Sequence, residues 1–122
     1  MILVDTSVWI DHLRSPNQQL SLLLTKDSVL AHSFVIGELA LGTLRNPEAV
    51  LGSLGRLPQA VKAQEDEVLQ LILRSNLAGL GIGYVDAHLL ASTLLTGDAS
   101  LWTYDKRLTA VASRLGLAAR FS

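Results

Sequence analysis

The stretch ILVDTSVW, residues 2–9, decides the fold class. Its first three residues form a continuous apolar run, which is typical of a strand buried on both faces in a parallel sheet. Asp5, Thr6 and Ser7 then offer side chains that cap helices, and apolar residues at helical spacing follow them. The stretch therefore predicts a strand that turns directly into a helix, with an acidic residue at the carboxyl end of the strand.

The same strand-to-helix pattern recurs along the chain. Strands are predicted at 29–31 and 100–103, each followed by a helix, at 34–44 and 105–115 respectively. Further helices are predicted over 18–25, 47–54, 65–78 and 84–95, and further short strands over 60–63 and 117–121. Because right-handed crossovers between parallel strands place helices on both faces of a sheet, we expect a three-layer α/β/α fold. Its central parallel sheet should have about five short strands, and residues 1–122 should form a single domain.

The composition limits the kinds of protein and of site. The chain has 122 residues, a formal net charge of -1 and no cysteine. Without cysteine there are no disulfides or thiolate metal sites, so a bound metal must use oxygen or imidazole ligands. No apolar run approaches the roughly 20 residues of a membrane-spanning helix. The N-terminus does not resemble a secretory leader. We therefore expect a soluble, cytoplasmic protein that does not interact with a membrane.

Four carboxylates stand out because of their positions in the predicted elements. Asp5 and Asp105 each follow a strand, at the edge of a parallel sheet where ligands bind. Glu38 and Asp86 lie in helical segments beside apolar residues, with no lysine or arginine three or four positions later. A carboxylate that borders a buried surface is costly unless it is neutralised, so we expect these acids to share a cation.

A divalent cation between these acids would suit the cleavage of a phosphodiester bond. Oxygen-only ligation favours Mg²⁺ or Mn²⁺, which commonly bind substrate phosphates as well. Such an ion activates water and neutralises charge on the scissile phosphate. The hydroxyls of Thr6, Ser7 and Thr103 are candidates to orient the ligands. Lys106 and Arg107 are candidates to contact the phosphates of a substrate.

Each acid taken alone also has a structural interpretation. Asp5 and Asp105 precede helices, where an N-cap is common, and Asp86 near a helix start would interact with the helix dipole. Glu38 has the weakest structural explanation, because it falls in the second turn of its helix. The three histidines lack zinc spacing and are expected on the surface or in the core, although His88 follows Asp86 by only two positions.

The glycines at 79, 81 and 83 follow a predicted helix rather than a strand. We interpret them as a flexible loop and reject a dinucleotide-binding turn, because that turn follows a strand and carries a fuller glycine pattern.

The order of these motifs resembles the PIN-domain family and, within it, the VapC-type toxins of bacterial and archaeal toxin–antitoxin pairs. The matching stretches are VDTS at 4–7, GEL at 37–39, VDA at 85–87 and TYD at 103–105. The resemblance runs over essentially the whole chain, and it places the family's acidic site on Asp5, Glu38, Asp86 and Asp105. It implies RNA cleavage dependent on Mg²⁺ or Mn²⁺, a homodimer, and inhibition by a cognate antitoxin that covers the site. His88 stands where the family often has an aliphatic residue.

Two other functions compete with this interpretation. A receiver-type phosphoacceptor domain also has an acid after its first strand, and the pair Asp105-Lys106 would suit it. That domain needs adjacent acids at the first strand, where Thr6 and Ser7 stand instead. The second alternative is a PIN-like binding module that has lost catalysis, which four intact acids argue against.

Overall fold

The computed structural model describes residues 1–121, in which three short strands are separated by two and then four helices and followed by a last helix. The strands are β1 (Ile2–Val4), β2 (Val29–Leu30) and β3 (Ser100–Trp102). The helices are α1 (Thr6–Arg14), α2 (Gln18–Thr25), α3 (Ser33–Ala40), α4 (Pro47–Arg56), α5 (Glu65–Arg74), α6 (Tyr84–Leu95) and α7 (Lys106–Arg114). Within the described residues, none of the helices combines the length and the apolar character that crossing a bilayer requires.

The three strands form one parallel sheet in the order β2-β1-β3. In the central strand β1, Leu3 pairs with Leu30 on one side and with Leu101 on the other. Successive side chains of a strand point to opposite faces of the sheet. Leu3 and Val4 are both completely buried, so helices cover both faces. The α/β class with helices around a parallel sheet, predicted from the sequence, is confirmed.

The sheet has three strands rather than the predicted five. The segments at 60–63 and 117–121 do not form strands, and the chain near each contributes an isolated parallel bridge, Ala31 with Gln59 and Leu101 with Ala118. Each bridge is short because the outer segment exchanges few backbone hydrogen bonds with the sheet. On one side, Ala31 donates to the carbonyl of Pro58 and accepts from Ala60, both at 2.8 Å. Pro58 has no N–H with which to extend the pairing.

Two helices end earlier than the sequence pattern predicts. Helix α3 ends at Ala40 rather than near residue 44, and Gly42, a poor helix former, follows within two residues. Helix α5 ends at Arg74 rather than near residue 78, because Asn76 adopts a left-handed φ of 54° that a right-handed helix does not allow. Helices α2 and α6 have the predicted bounds.

Candidate functional site

Asp5 lies where β1 ends and α1 begins. Its backbone N–H donates to the carbonyl of Trp102 at 2.9 Å, so the ends of β1 and β3 lie side by side. Its side chain makes no capping hydrogen bond to α1, although it precedes that helix. Oδ2 of Asp5 instead accepts hydrogen bonds from Thr103 at 2.7 Å and from Ser7 at 3.2 Å. The alternative interpretation of Asp5 as a side-chain cap is therefore wrong, and two hydroxyls hold this buried carboxylate.

Thr103 connects Asp5 to Asp105. Its hydroxyl donates to Asp5 and accepts from the backbone N–H of Asp105 at 3.1 Å. Asp105 precedes α7, and its Oδ1 accepts from the N–H of Leu108 at 2.9 Å. The structural interpretation of Asp105 as an N-cap is therefore confirmed. This role engages one carboxylate oxygen and does not preclude a second role for the other.

Glu38 is attached to the same region through Thr6. The Thr6 hydroxyl, at the start of α1, donates to Oε1 of Glu38 on α3 at 2.6 Å. Glu38 is exposed, and Leu41, three positions later, is 91% exposed. The expectation that Glu38 borders a buried surface is therefore wrong, and the argument that burial requires a neutralising cation does not apply to this residue. The Thr6 hydroxyl orients the Glu38 side chain.

Asp86 lies in the first turn of α6, and its Oδ2 accepts from the backbone N–H of Gly83 at 2.9 Å. Burial is the main reason why the pKa of Asp86 is raised above its ordinary value, while the bond from Gly83 opposes the rise. The negative charges of Asp5, Asp105 and Glu38 raise this pKa further. A carboxylate feels such repulsion only from charges in its neighbourhood, so the four acids share one electrostatic environment.

These carboxylates lie near one another without forming a ready-made metal cage. Among residues 1–121, no three acidic or histidine side chains are close enough together to hold one ion. A complete cage is not required for Mg²⁺, which is commonly bound through one or two carboxylates while water completes its shell. The available donors are hard carboxylate and hydroxyl oxygens, and three neighbouring negative charges add to burial in raising the pKa of Asp86. The donor chemistry therefore fits a hydrated divalent cation.

Lys106 and Arg107 begin α7 directly after Asp105, and both are exposed. Arg107 lies against the glycine loop, because a Cβ at Gly81 would be 2.7 Å from both Cδ and Nη1 of Arg107. Gly81 also has a φ of 78°, a conformation that favours glycine. Because Gly83 in the same loop binds Asp86, one loop contacts both Arg107 and an acid of the site. This role of the loop was not predicted from the sequence, where the available signal was the Gly-x-Gly spacing before α6.

Tyr104 was not among the predicted site residues. Its backbone N–H donates to Ser7 at 3.1 Å, and its hydroxyl donates to Asp11 at 3.4 Å and accepts from Asn17 at 3.3 Å. Burial, followed by the charge of Asp11, raises the pKa of Tyr104. Its position between Thr103 and Asp105 in the motif was the available signal.

The histidines do not contribute to the acidic site. His32 is buried, its Nδ1 accepts from the N–H of Phe34 at 3.0 Å, and its Nε2 lies 2.9 Å from Oγ of Ser92. Burial, together with the charges of His88 and Lys62, lowers the pKa of His32 to about 4. His88 is also buried, and its ring contacts aromatic neighbours. These two histidines lie in the core, which agrees with the expectation that the histidines are surface or core residues.

Comparison with known proteins gives two findings. A family model described as "PIN domain" matches residues 2–114. Two curated proteins, both called "Ribonuclease VapC32" and from Mycobacterium tuberculosis strains CDC 1551 / Oshkosh and ATCC 25618 / H37Rv, are each 50% identical to this chain over 118 residues. Each alignment covers 97% of this chain and 95% of the relative.

Proposed function

Because this chain belongs to the PIN-domain family, we propose that it is an endoribonuclease that hydrolyses phosphodiester bonds in RNA. We further propose that it acts as the toxin of a toxin–antitoxin pair, as its similarity to VapC-type ribonucleases suggests. The observation that carries the proposal is that Thr103 joins Asp5 to Asp105 by hydrogen bonds, while burial and then the charges of Asp5, Asp105 and Glu38 raise the pKa of Asp86. The family match argues against the receiver-type alternative.

The cofactor in this proposal is Mg²⁺ or Mn²⁺, held by Asp5, Glu38, Asp86 and Asp105. When bound, the ion would supply the Lewis acidity that activates water and offsets charge on the scissile phosphate. A cation would also relieve the repulsion that Asp86 experiences from the other three carboxylates.

The residues around the acids orient them. Thr103 and Ser7 hold Oδ2 of Asp5, and Thr6 holds Oε1 of Glu38. These hydroxyls restrict the rotation of the carboxylates that they contact, which is what outer partners of metal ligands commonly do.

Lys106 and Arg107 are proposed to bind the phosphates of the RNA. Their positions at the start of α7, directly after Asp105, support this proposal. Without such cations, the site's own negative charge would repel a polyanion.

A groove of about 550 Å³ adjoins Glu38 and supports the proposal of an antitoxin partner. It is lined by apolar side chains, among them Ile10 and Leu13, and by the cations Arg14 and Arg45. A peptide bound there would cover the Glu38 side of the site. A segment with apolar and acidic side chains would suit this lining.

The homodimer is also a proposal. Leu69 and Leu73 lie one turn apart on α5, and they are 53% and 78% exposed. Apolar side chains exposed together mark interaction surfaces, and a second copy of the chain is the proposed partner. The proposed location is the cytoplasm, where both RNA and an antitoxin would be encountered.

The test measures cleavage of RNA by the purified protein with Mg²⁺ or Mn²⁺ and after chelation. We expect Asp5→Asn and Asp86→Asn to abolish cleavage, because each removes a charge that the cation needs. Circular dichroism and thermal unfolding should show an intact fold. Asp66→Asn, an exposed acid on α5, is the matched control and should cleave like the parent.

Unchanged cleavage by both site variants would overturn the assignment of the site. A parent protein that binds RNA but cuts none with either metal would support the inactive-module alternative instead.

A further inference from the structure

A row of side chains between α3 and α6 is not used by the acidic site. Nζ of Lys62 lies 5.4 Å from the centroid of the Phe34 ring, over that ring. The Phe34 ring lies 4.8 Å from that of His88, and the His88 ring lies 4.6 Å from that of Tyr84, centroid to centroid. We call these four residues the aromatic row. His88 in its middle is buried, Lys62 is exposed and Tyr84 is 50% exposed.

The aromatic row borders the acidic site at Glu38. Phe34 lies four positions before Glu38 on α3, and residues at this spacing share one face of a helix. Tyr84 begins α6, two positions before Asp86, and residues at this spacing point to different sides of a helix. The row is therefore the rim of the acidic site on the side of α3, through Phe34 and Glu38.

The contacts of His88 indicate that ring packing matters at this position. Its Nδ1 is buried and has no hydrogen-bond partner among the described residues. An unsatisfied buried nitrogen costs free energy that an aliphatic side chain would not incur. The gain that offsets this cost is the pair of aromatic contacts, edge-on to Tyr84 and tilted against Phe34. His32 adds a further contact, with its ring centroid 5.1 Å from that of Phe34. The rings are thus held in place before any ligand arrives.

We propose that the aromatic row binds a short unpaired segment of the RNA, with Tyr84 stacked on a base and Lys62 in contact with a phosphate. Proteins recognise single-stranded RNA largely by stacking unpaired bases on aromatic side chains and by placing cations along the backbone. The row contains an exposed ring, Tyr84, and an exposed cation, Lys62. The packed rings of Phe34 and His88 lie between them. This proposal rests on the proposed ribonuclease function, because it concerns the substrate of the same site.

The charge pattern favours RNA over a protein partner at this surface. A purely apolar protein partner would leave Lys62 without a counter-charge. A segment of RNA supplies a base that stacks on Tyr84 and a phosphate that contacts Lys62. The neighbouring acids repel phosphates, so a cation at the rim is useful for holding the chain close to them.

The binding experiment uses Asp5→Asn protein, which should not cut its ligand, and a labelled single-stranded oligoribonucleotide followed by fluorescence anisotropy. In this background we expect Tyr84→Ala to weaken binding by about tenfold, because stacking on one base is lost. Tyr84→Phe keeps the ring and should bind within about twofold of its parent. Phe121→Ala, which removes an exposed ring packed on Trp102 outside the row, is the matched control and should have little effect.

Two further measurements identify the individual contacts. Lys62→Gln should reduce the slope of log affinity against log salt concentration by about 0.7, the value for one phosphate contact on a single strand. A series of oligonucleotides with single abasic sites identifies the stacked base. Removal of one particular base should weaken binding to Asp5→Asn protein that retains Tyr84. Removal of the same base should not weaken binding to the Tyr84→Ala variant, because the base and the ring form one interaction.

The outcomes separate this proposal from the proposed function. If wild-type protein cuts RNA but Tyr84→Ala and Phe121→Ala bind equally well, the aromatic row does not bind the substrate and the ribonuclease function stands. If binding depends on Tyr84 but wild-type protein cuts no RNA, the row proposal stands and the function fails. A change of oligomeric state in Tyr84→Ala, seen by sedimentation without loss of RNA affinity, would assign the row to a protein interface and overturn the proposal.

Discussion

The Thr103 hydroxyl serves two acids at once. It donates to the carboxylate of Asp5 and accepts from the backbone N–H of Asp105. This buried hydroxyl has its single donor role and one of its two acceptor roles filled, so it restricts the relative positions of the groups it joins. The spacing between two of the proposed metal ligands therefore depends on one side chain that is not itself charged.

This arrangement predicts the effect of Thr103→Val, which has a similar shape but no hydroxyl. We expect kcat/KM for RNA cleavage to fall by roughly 10- to 100-fold, the usual cost of losing a partner that orients a metal ligand. Stability to urea should fall by about 1 kcal/mol, because the N–H of Asp105 loses its acceptor. Thr103→Ser keeps the hydroxyl and should retain most of the activity. Equal activity of the valine variant and the parent would show that the hydroxyl does not position the acids.

At the scale of elements, the glycine loop before α6 and the start of α7 form one unit. Gly83 supplies the N–H that binds Asp86, and Gly81 leaves the space that Arg107 occupies. Gly79 has nearly the same φ as Gly81, 77° against 78°, but a Cβ at Gly79 would have no heavy atom within 4 Å. The loop thus contains a matched pair of positions that differ only in their proximity to Arg107.

The pair predicts different effects for Gly81→Ala and Gly79→Ala. Both variants should lose about 1 to 2 kcal/mol of stability, because each forces a side chain into a left-handed conformation. Gly81→Ala alone also displaces Arg107, and we expect it to raise KM for RNA several-fold more than Gly79→Ala does. Kinetics of both variants at a temperature well below their melting points provide the measurement. Equal KM values would show that the position of Arg107 does not affect substrate binding.

At the scale of the whole molecule, His32 joins α3 to α6. Its Nδ1 caps α3 at the N–H of Phe34, so Nε2 carries the proton and donates to Ser92 on α6. The low pKa of His32, about 4, means that the folded protein keeps this ring neutral down to acidic pH. Protonation would place a charge in the core between these two helices.

Stability should therefore depend on pH through His32. Between about pH 6.5 and 4 the unfolded chain binds a proton at this ring and the folded chain does not. Falling pH thus favours unfolding across this window, by roughly 3 kcal/mol or less in total. His32→Asn keeps a capping side chain and removes the titration. We expect urea unfolding of this variant to depend less on pH than that of the parent, and identical pH profiles would contradict the assignment.

The local pattern of the sequence determined the alternation of elements in this protein. The apolar run and the capping residues at 2–9 predicted β1 and α1, and helices α2 and α6 begin and end as predicted. These features depend on residues that are neighbours along the chain, so periodicity and capping preferences describe them well. The four acids also stood out from their positions relative to these elements.

Only the tertiary structure decided how the elements and acids meet. The strands predicted at 60–63 and 117–121 are replaced by single bridges near these segments. The length of a strand depends on pairing with segments that are distant in sequence, and a local sequence pattern does not predict that pairing. The Asp5 side chain receives a hydrogen bond from Thr103, which lies 98 residues away, and makes no capping hydrogen bond to the helix beside it. The negative charges that add to burial in raising the pKa of Asp86 also belong to residues that are distant in sequence. Charges and hydrogen bonds act over distances in space, and the folded chain alone sets those distances.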